Sequence, residues 1–323
     1  MTLAPVLLFV YNRLDTLKQT VATLQLNVLA PESELFIFSD AAKHEKDRIV
    51  VGQIRDYIKT IDGFRRISVC EAQSNKGLAK SIINGVNQVL KEHDQVIVLE
   101  DDLLTTPNFL TFMNKSLERY KYDNKVFSIS GYSFDLGEID GEENYLLNRG
   151  WSWGWATWSN RWNTVDWLVS DYHSFAADAQ ARRNFARGGS DLNKMLDNQL
   201  NGKLDSWAIR WFYHQFRTGG LTLYPVKSKV YNIGFGERAT HTTGSDRRYK
   251  PRIDTDLRTD FIFPDSISIH QQFQQRFQSR MGWISRVISK CETLIFYFSR
   301  WFNNYETANP QKSVVLDEAT IRN

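Results

Sequence analysis

Three consecutive acids, Glu100, Asp101 and Asp102, follow directly on the apolar run Val96–Leu99. An unbroken run of valine, isoleucine and leucine of this length fits a buried parallel strand. The acids therefore stand where that strand ends. In an open α/β sheet, ligands gather at the carboxyl ends of the strands. Adjacent carboxylates repel one another, so a position that keeps three together makes sense when something cationic lies among them. A hard divalent cation with oxygen ligands, itself bridging phosphates, is the natural candidate. The plainer alternative is a solvated acidic turn, and the strand-end position argues against it.

A second chemical signal lies downstream. Trp151, Trp153, Trp155, Trp158, Trp162 and Trp167 place six tryptophans in seventeen residues. They fit neither a period-2 strand nor a clean amphipathic helix. Gly154, between Trp153 and Trp155, suggests a turn where the backbone approaches a ligand closely. Indole faces suit the C–H faces of sugars and indole N–H groups suit hydroxyls. Sealing a seam between two lobes is an equally good use of the same residues. Asp205 precedes a helix that carries Trp207, Trp211, Phe212 and Phe216, where an N-cap is its default role. His241 closes the glycine-bearing loop NIGFGERATH.

The elements that must position these residues follow from hydrophobic periodicity. Apolar runs predict strands at Val6–Val10, Leu35–Phe38, Ile67–Cys70, Val96–Leu99 and Val126–Ser130. Stripes of 3.6-residue period predict helices through Leu14–Leu24, Val50–Ile58, Leu78–Val89 and Phe109–Tyr120. Strand and helix alternate, which gives a Rossmann-like, mostly parallel sheet over about the first 135 residues. Residues 171–203 read as a surface insertion or lid, broken at Gly188-Gly189. Leu221–Val230 reads as one more strand, disturbed by Pro225, and 243–260 as a charged, flexible stretch.

Composition removes several classes. No GxGxxG follows the first strand and no GxxxxGKS occurs, which sets aside dinucleotide oxidoreductases and P-loop NTPases. A net charge of +3 without a basic block offers nothing to nucleic acid. Two distant cysteines, Cys70 and Cys291, fit a reducing compartment and exclude a cysteine-based zinc site. The N-terminus lacks a signal-peptide pattern, and no apolar stretch is long enough to span a bilayer. A cytoplasmic location is expected. The segment 280–302 mixes Trp283, Ile284, Val287, Leu294 and Phe296 with Arg280, Arg286, Lys290 and Arg300. That amphipathic, basic pattern suits either the inner face of a membrane, peripherally, or packing against protein.

Several strings now fall into one order: YNR after the first strand, SD after the second, SNKGLAKSI before the acidic strand, then EDD, WGWATW, DSW and the His241 loop. The order resembles GT-A fold nucleotide-sugar glycosyltransferases. Within them it is most similar to the N-acetylglucosaminyltransferase I-like branch and its bacterial relatives in surface-polysaccharide synthesis. The resemblance spans about residues 4–242. It implies that Arg13 and Asp40 contact the nucleotide, with Asn75, Lys76 and Gly77 lining its site. Glu100 and Asp101 would face ribose and sugar, together with the Trp153–Trp155 segment on the donor side. Asp102 would ligate Mn2+ or Mg2+, His241 would lie near the metal and diphosphate, and Asp205 would be the catalytic base.

The expected protein is thus an α/β GT-A chain. It has a nucleotide-sugar-binding half at 1–135, an acceptor-binding and catalytic half at 136–242, and a C-terminal extension at 243–323 with an amphipathic helix. The expected chemistry is metal-dependent, inverting transfer from a nucleoside diphosphate sugar, UDP foremost, to a glycan or lipid-linked glycan. A metal neutralises the leaving diphosphate and a carboxylate takes the acceptor proton. The enzymatic rival is a nucleotidyltransferase acting on sugar phosphates, for which YNRLDT is a poor phosphate loop. The non-enzymatic rival is a carbohydrate-binding protein, which has no use for acids at a buried strand end.

Overall fold

Both faces of the first strand are apolar, which requires a sheet covered on both sides. In the computed structural model, which describes residues 2–235, 249–283, 285, 287 and 288, β1 (Val6–Val10) sends Val6, Leu8 and Val10 into one core. Leu7 and Phe9 enter another. Then come α1 (Leu14–Gln25), β2 (Glu34–Ser39), α2 (Arg48–Ile58), β3 (Arg66–Glu71), α3 (Leu78–Val89) and β4 (Gln95–Glu100). Their stripes seat α1 and α2 in the first core through Leu17, Val21, Leu24, Ile54 and Ile58. Helix α3 enters the second through Ala79, Ile82 and Val86. The chain continues with β5 (Leu103–Thr105), α4 (Phe109–Arg119), β6 (Val126–Ser130), β7 (Asn144–Leu147), β8 (Trp155–Trp158) and α5 (Ser159–Trp162). It then forms α6 (Tyr172–Ala177), α7 (Ala179–Ala186), α8 (Leu192–Leu200), α9 (Trp207–Arg217), β9 (Leu221–Pro225), β10 (Val230–Asn232) and α10 (Gln271–Met281).

Eight strands make one sheet in the order β3-β2-β1-β4-β8-β6-β9-β7. The β3–β2, β2–β1, β1–β4 and β6–β9 pairs are parallel. Strand β8 runs against both β4 and β6, and β7 runs against β9. This is the expected mixed, mostly parallel sheet flanked by helices. From β1 the chain goes one way to β2 and the other way to β4, so a crevice opens at the carboxyl ends of β1 and β4.

The tryptophan segment departs from the sequence expectation. Residues 155–158 are a strand after all, wedged between β4 and β6 and buried on both faces. Burial on both faces erases the alternation that would have betrayed it. Gly154 has a φ of +62°, and a β-carbon there would press on Val230 and Leu99. The glycine thus serves a tight turn and close packing in the core.

Three other segments differ. Residues 171–203 are not a loose insertion: Phe175, Phe185, Leu192 and Leu196 are buried with Tyr213 of α9. A buried Arg149–Asp191 pair at 2.9 Å further anchors them. The 221–230 run splits at Pro225, after which β10 leaves the main sheet to pair with β5. Within the charged stretch, Asp254 is buried against Lys229 and accepts from Asn108, so residues around it are tied to the body. An exposed-looking charge pattern cannot reveal a buried ion pair.

Candidate active site

The loop after β1 and the end of β4 meet in the crevice. Arg13 lies just ahead of α1, and its guanidinium reaches across to the acids that follow β4. Nη2 donates to Oδ1 of Asp101 at 2.6 Å and Nη1 to Oδ2 of Asp102 at 2.8 Å. The cationic partner those carboxylates demanded is, in this structure, an arginine fork that binds two acids at once. The remaining oxygen of Asp101 accepts from the Tyr11 N–H at 3.1 Å. Burial raises Asp101 to about 6, with Arg13 opposing and Asp102 adding to the effect. Burial likewise lifts Glu100 well above the ordinary carboxylate range, reinforced by the Asp102 charge and opposed by Arg13.

Asp102 is pinned from the other side. Its carbonyl accepts from the Ile233 N–H at 2.9 Å, and Gly234 lies so close that a β-carbon there would overlap Oδ2 of Asp102. Only a glycine permits that approach. Among the described residues Oδ1 of Asp102 has no hydrogen-bond donor, whereas Oδ2 accepts from Arg13. No group of three or more histidines, cysteines or acids suited to a metal occurs among the described residues. A hard divalent cation here would have Asp102 as its carboxylate ligand and would need phosphate oxygens and water to complete its shell. His241 lies outside the described residues.

A second carboxylate organises the loop before α3. Asp40, at the end of β2, accepts from the N–H groups of Ala41 and Lys76 at Oδ1, both at 2.9 Å. At Oδ2 it accepts from Gly77 N–H at 2.9 Å and from the Asn75 amide at 3.1 Å. The Asn75 amide also donates to the Ala41 carbonyl at 2.7 Å. Gly77 takes a φ of +74°, a conformation that favours glycine. Asp40 is thus engaged in building the loop, a role that its motif position did not disclose.

Asp205 stands across this loop. A β-carbon on Gly77 would lie 3.8 Å from Oδ2 of Asp205. The helix cap is not Asp205 but Ser206, whose hydroxyl accepts from the Ile209 N–H at 3.4 Å. That leaves the exposed Asp205 carboxylate free of capping duty. The structure therefore brings Arg13, Asp101 and Asp102 into direct contact, joins Asp40 to Asn75, Lys76 and Gly77, and sets Asp205 beside Gly77.

The Trp153–Trp155 segment divides. Trp155 is fully buried, with its ring 4.4 Å from Trp211 and 5.0 Å from Trp207. Its strand direction turns it into the second core, so its ring cannot touch a donor, and Gly154 is buried beside it. Trp153 remains half-exposed, edge-on to Phe235 at 5.7 Å and to Tyr132 at 4.6 Å. Sequence reasoning passed over Tyr11, Gly234 and Phe235. The glycine-bearing string NIGFG was the one signal for the last two.

The profile of glycosyl transferase family 2 matches residues 6–178, more than half of the chain and all of β1 through β8. The chain belongs to glycosyl transferase family 2. The α/β sheet of this family member is accordingly the GT-A type. No curated protein matches its sequence. Among solved structures, S. aureus TarS is similar over 50% of this family 2 chain and 30% of its own, at 12% identity and a TM-score of 0.37. A mannosyltransferase from Pyrobaculum calidifontis, in complex with GDP-Man and Mn2+, is similar over 42% of this chain and 36% of its own, at 14% identity and a TM-score of 0.29. A UDP-glucose pyrophosphorylase complexed with UDP-glucose is similar over 71% of this chain and 93% of its own, at 14% identity and a TM-score of 0.36. The family 2 chain spans about a third of the length of the first two. Among its described residues no helix is long and apolar enough to cross a membrane. Of the amphipathic segment 280–302, Trp283, Val287 and Ile288 are described and exposed, and most of the rest lies outside the described residues.

Proposed function

We propose that this family 2 protein transfers a sugar from a nucleoside diphosphate donor, UDP-linked by preference, to a glycan or lipid-linked glycan. The order of its motifs, similar to that of the N-acetylglucosaminyltransferase I-like branch, supports this reading. The observation that carries the reading is the meeting of Arg13 with Asp101 and Asp102 at the topological switch point. Family membership supplies the reaction class. The proposed halves, 1–135 for the donor and 136–242 for the acceptor, share the one sheet.

In this reading the Asp40-ordered loop Asn75–Gly77 receives the nucleotide, and Arg13 supplies positive charge for the diphosphate. Asp102 would hold Mn2+ or Mg2+ through its open oxygen, and the cation would lower the energy of the departing diphosphate. Asp205 accepts the proton of the acceptor hydroxyl. A single base and attack from the face opposite the leaving group give inversion. Trp153 offers an aromatic edge for a sugar ring. A hydrolysis screen of UDP-, GDP- and dTDP-sugars with and without Mn2+ tests the proposal. Metal-stimulated release of UDP is expected. Absence of donor cleavage and of metal-linked nucleotide binding across all three series would refute it.

A further inference from the structure

We propose that Arg210, backed by Trp167, forms a subsite for an oxyanion carried by the acceptor, a phosphate or carboxylate close to the hydroxyl that receives the sugar. The inference rests on the reading of Asp205 as the acceptor-side base and narrows the class of acceptor. Arg210 lies in the first turn of α9, just after Asp205 and the Ser206 cap. Side chains on a helix lean toward its N-terminus. The guanidinium accordingly folds back over the start of α9. There Nε donates to the Ser206 carbonyl and Nη1 to the Trp167 carbonyl, both at 3.3 Å. The guanidinium carbon stands 5.9 Å from the centre of the half-exposed Trp167 ring, which packs in turn on Trp162 at 4.8 Å.

Three costs meet at this guanidinium. It is half-buried, and burial pulls its pKa down. It sits at the positive end of the helix dipole, where a cation is disfavoured. Among the described residues it has no ion pair, and Asp205 acts on it only at longer range. Other sheltered arginines are compensated. Arg13 binds Asp101 and Asp102, Arg55 binds Glu71, Arg149 binds Asp191 and Arg182 binds Asp197. Arg161 has no carboxylate, but it donates to the carbonyls of Tyr120 and Lys121 at 3.0 and 2.8 Å, at the end of α4 where a helix favours a cation. Arg210 has neither kind of compensation. Among the described residues its Nη2 has no acceptor.

An oxyanion offsets all three costs. The guanidinium edge offers the paired donors that a phosphate or carboxylate accepts, and the indole beneath it steadies the plane. The two carbonyl contacts are long and leave their N–H groups able to share. The place of the subsite selects its ligand. Asp205 opens the same turn and stands beside Gly77 of the donor loop. A group held by Arg210 therefore lies alongside the hydroxyl that Asp205 would deprotonate, while the donor diphosphate has Arg13. A neutral glycan leaves the Arg210 charge uncompensated. The acceptor is accordingly an acidic sugar or a sugar phosphate. Arg210 sets specificity in this scheme, and the proton goes to Asp205.

The test is nuclear magnetic resonance of the arginine side-chain N–H signals in the full chain saturated with UDP. The protein is titrated with glucose 1-phosphate, glucuronate and glucose at fixed ionic strength. At least one of the two anions is expected to move the Arg210 Nε–H signal saturably, the tighter of them naming the oxyanion, and glucose should not. Arg210→Gln should weaken that anion at least tenfold while UDP affinity stays within twofold. Arg210→Lys keeps the charge without the fork, so it should fall between the two, and it serves if the glutamine variant does not fold. Arg210 shifts no larger than those of the exposed Arg48 overturn the inference. So does a tenfold loss of UDP affinity in either variant, which would assign Arg210 to the donor. Donor hydrolysis without anion binding defeats this inference alone, and anion binding without donor hydrolysis defeats the proposed function alone.

Discussion

Replacing Asp40 with asparagine alters a single atom and reverses what that atom can do. The carboxylate accepts backbone donors on both oxygens: Ala41 and Lys76 on one, Gly77 on the other. An asparagine keeps one acceptor and turns the other into a donor. With the amide nitrogen in place of Oδ2, the Gly77 N–H now 2.9 Å from that oxygen faces a donor. The Asn75 amide retains the Ala41 carbonyl, so it is not orphaned. An unsatisfied, partly buried N–H costs about 1–3 kcal/mol. The bonds that survive fall from charge-assisted to neutral, a loss of about 1 kcal/mol in all. The sum, on the order of 2–4 kcal/mol, is confined to the loop that opens α3. Amide hydrogen exchange at Lys76 and Gly77 should accelerate by about 10²-fold. Nucleotide affinity should fall at least tenfold, because the loop must be ordered again on binding. The melting temperature should drop by only a few degrees per kcal/mol in a chain of this size. Unchanged exchange at Lys76 and Gly77 in a folded Asp40→Asn protein would refute the reasoning.

Other substitutions separate chemistry from architecture. Asp205→Asn should lower turnover by about 10²-fold or more while sparing nucleotide affinity, as expected for a base; a near wild-type rate of sugar transfer would reassign the role. Trp155→Ala should destabilise by about 3–5 kcal/mol by opening a cavity among Trp162, Trp207 and Trp211. Denaturant unfolding should show it, whereas donor affinity of the folded fraction should hold; a loss of affinity without loss of stability would contradict the core assignment. Burial alone would raise Asp254, but bonds from Asn108 and Lys229 outweigh it and hold its pKa below 3.8. A depressed carboxylate gives stability that is complete above the unfolded pKa and lost as pH falls through the folded one. Asp254→Asn should therefore melt well below wild type at neutral pH, and the gap should narrow below about pH 4. A gap independent of pH would mean that the pair contributes nothing.

Much of the N-terminal architecture was legible because local pattern and tertiary role agree there. Val6–Val10 is a strand with both faces buried, and a solid apolar run says so. The helices beginning at Leu14, Leu78 and Phe109 carry stripes that match their buried faces. EDD was readable as acids that need a partner, because carboxylates at the end of such a run are costly without one. The identity of that partner was not readable, since Arg13 and Asp102 are far apart in sequence and only the β1–β4 pairing brings them together. The sequence left Asp205 open as a helix cap or a base; the cap falls to Ser206, because aspartate and serine are both good caps and a one-residue shift decides between them. Trp155 was misread because an indole in a core and an indole on a sugar have the same letter. Lys229 and Asp254 left no trace at all, since each looks solvated when taken alone.

The place of β8 in the sheet has a consequence in time as well as in space. As the chain emerges during synthesis, β1 to β4 and their helices are complete by residue 100, and β6 by residue 130. Yet β4 and β6 do not touch in the finished sheet, because both border on a strand that ends at residue 158. Until Trp155–Trp158 arrives, the hydrogen-bonding edge of Gln95–Val98 stays open, and the tryptophans that cover it must wait longer, for Trp207 and Trp211. Open apolar strand edges invite pairing with the wrong chain. The growing polypeptide passes through an interval in which the apolar strand β4 has one edge unpaired, and slowing elongation between residues 130 and 210 should raise aggregation more than slowing it anywhere earlier.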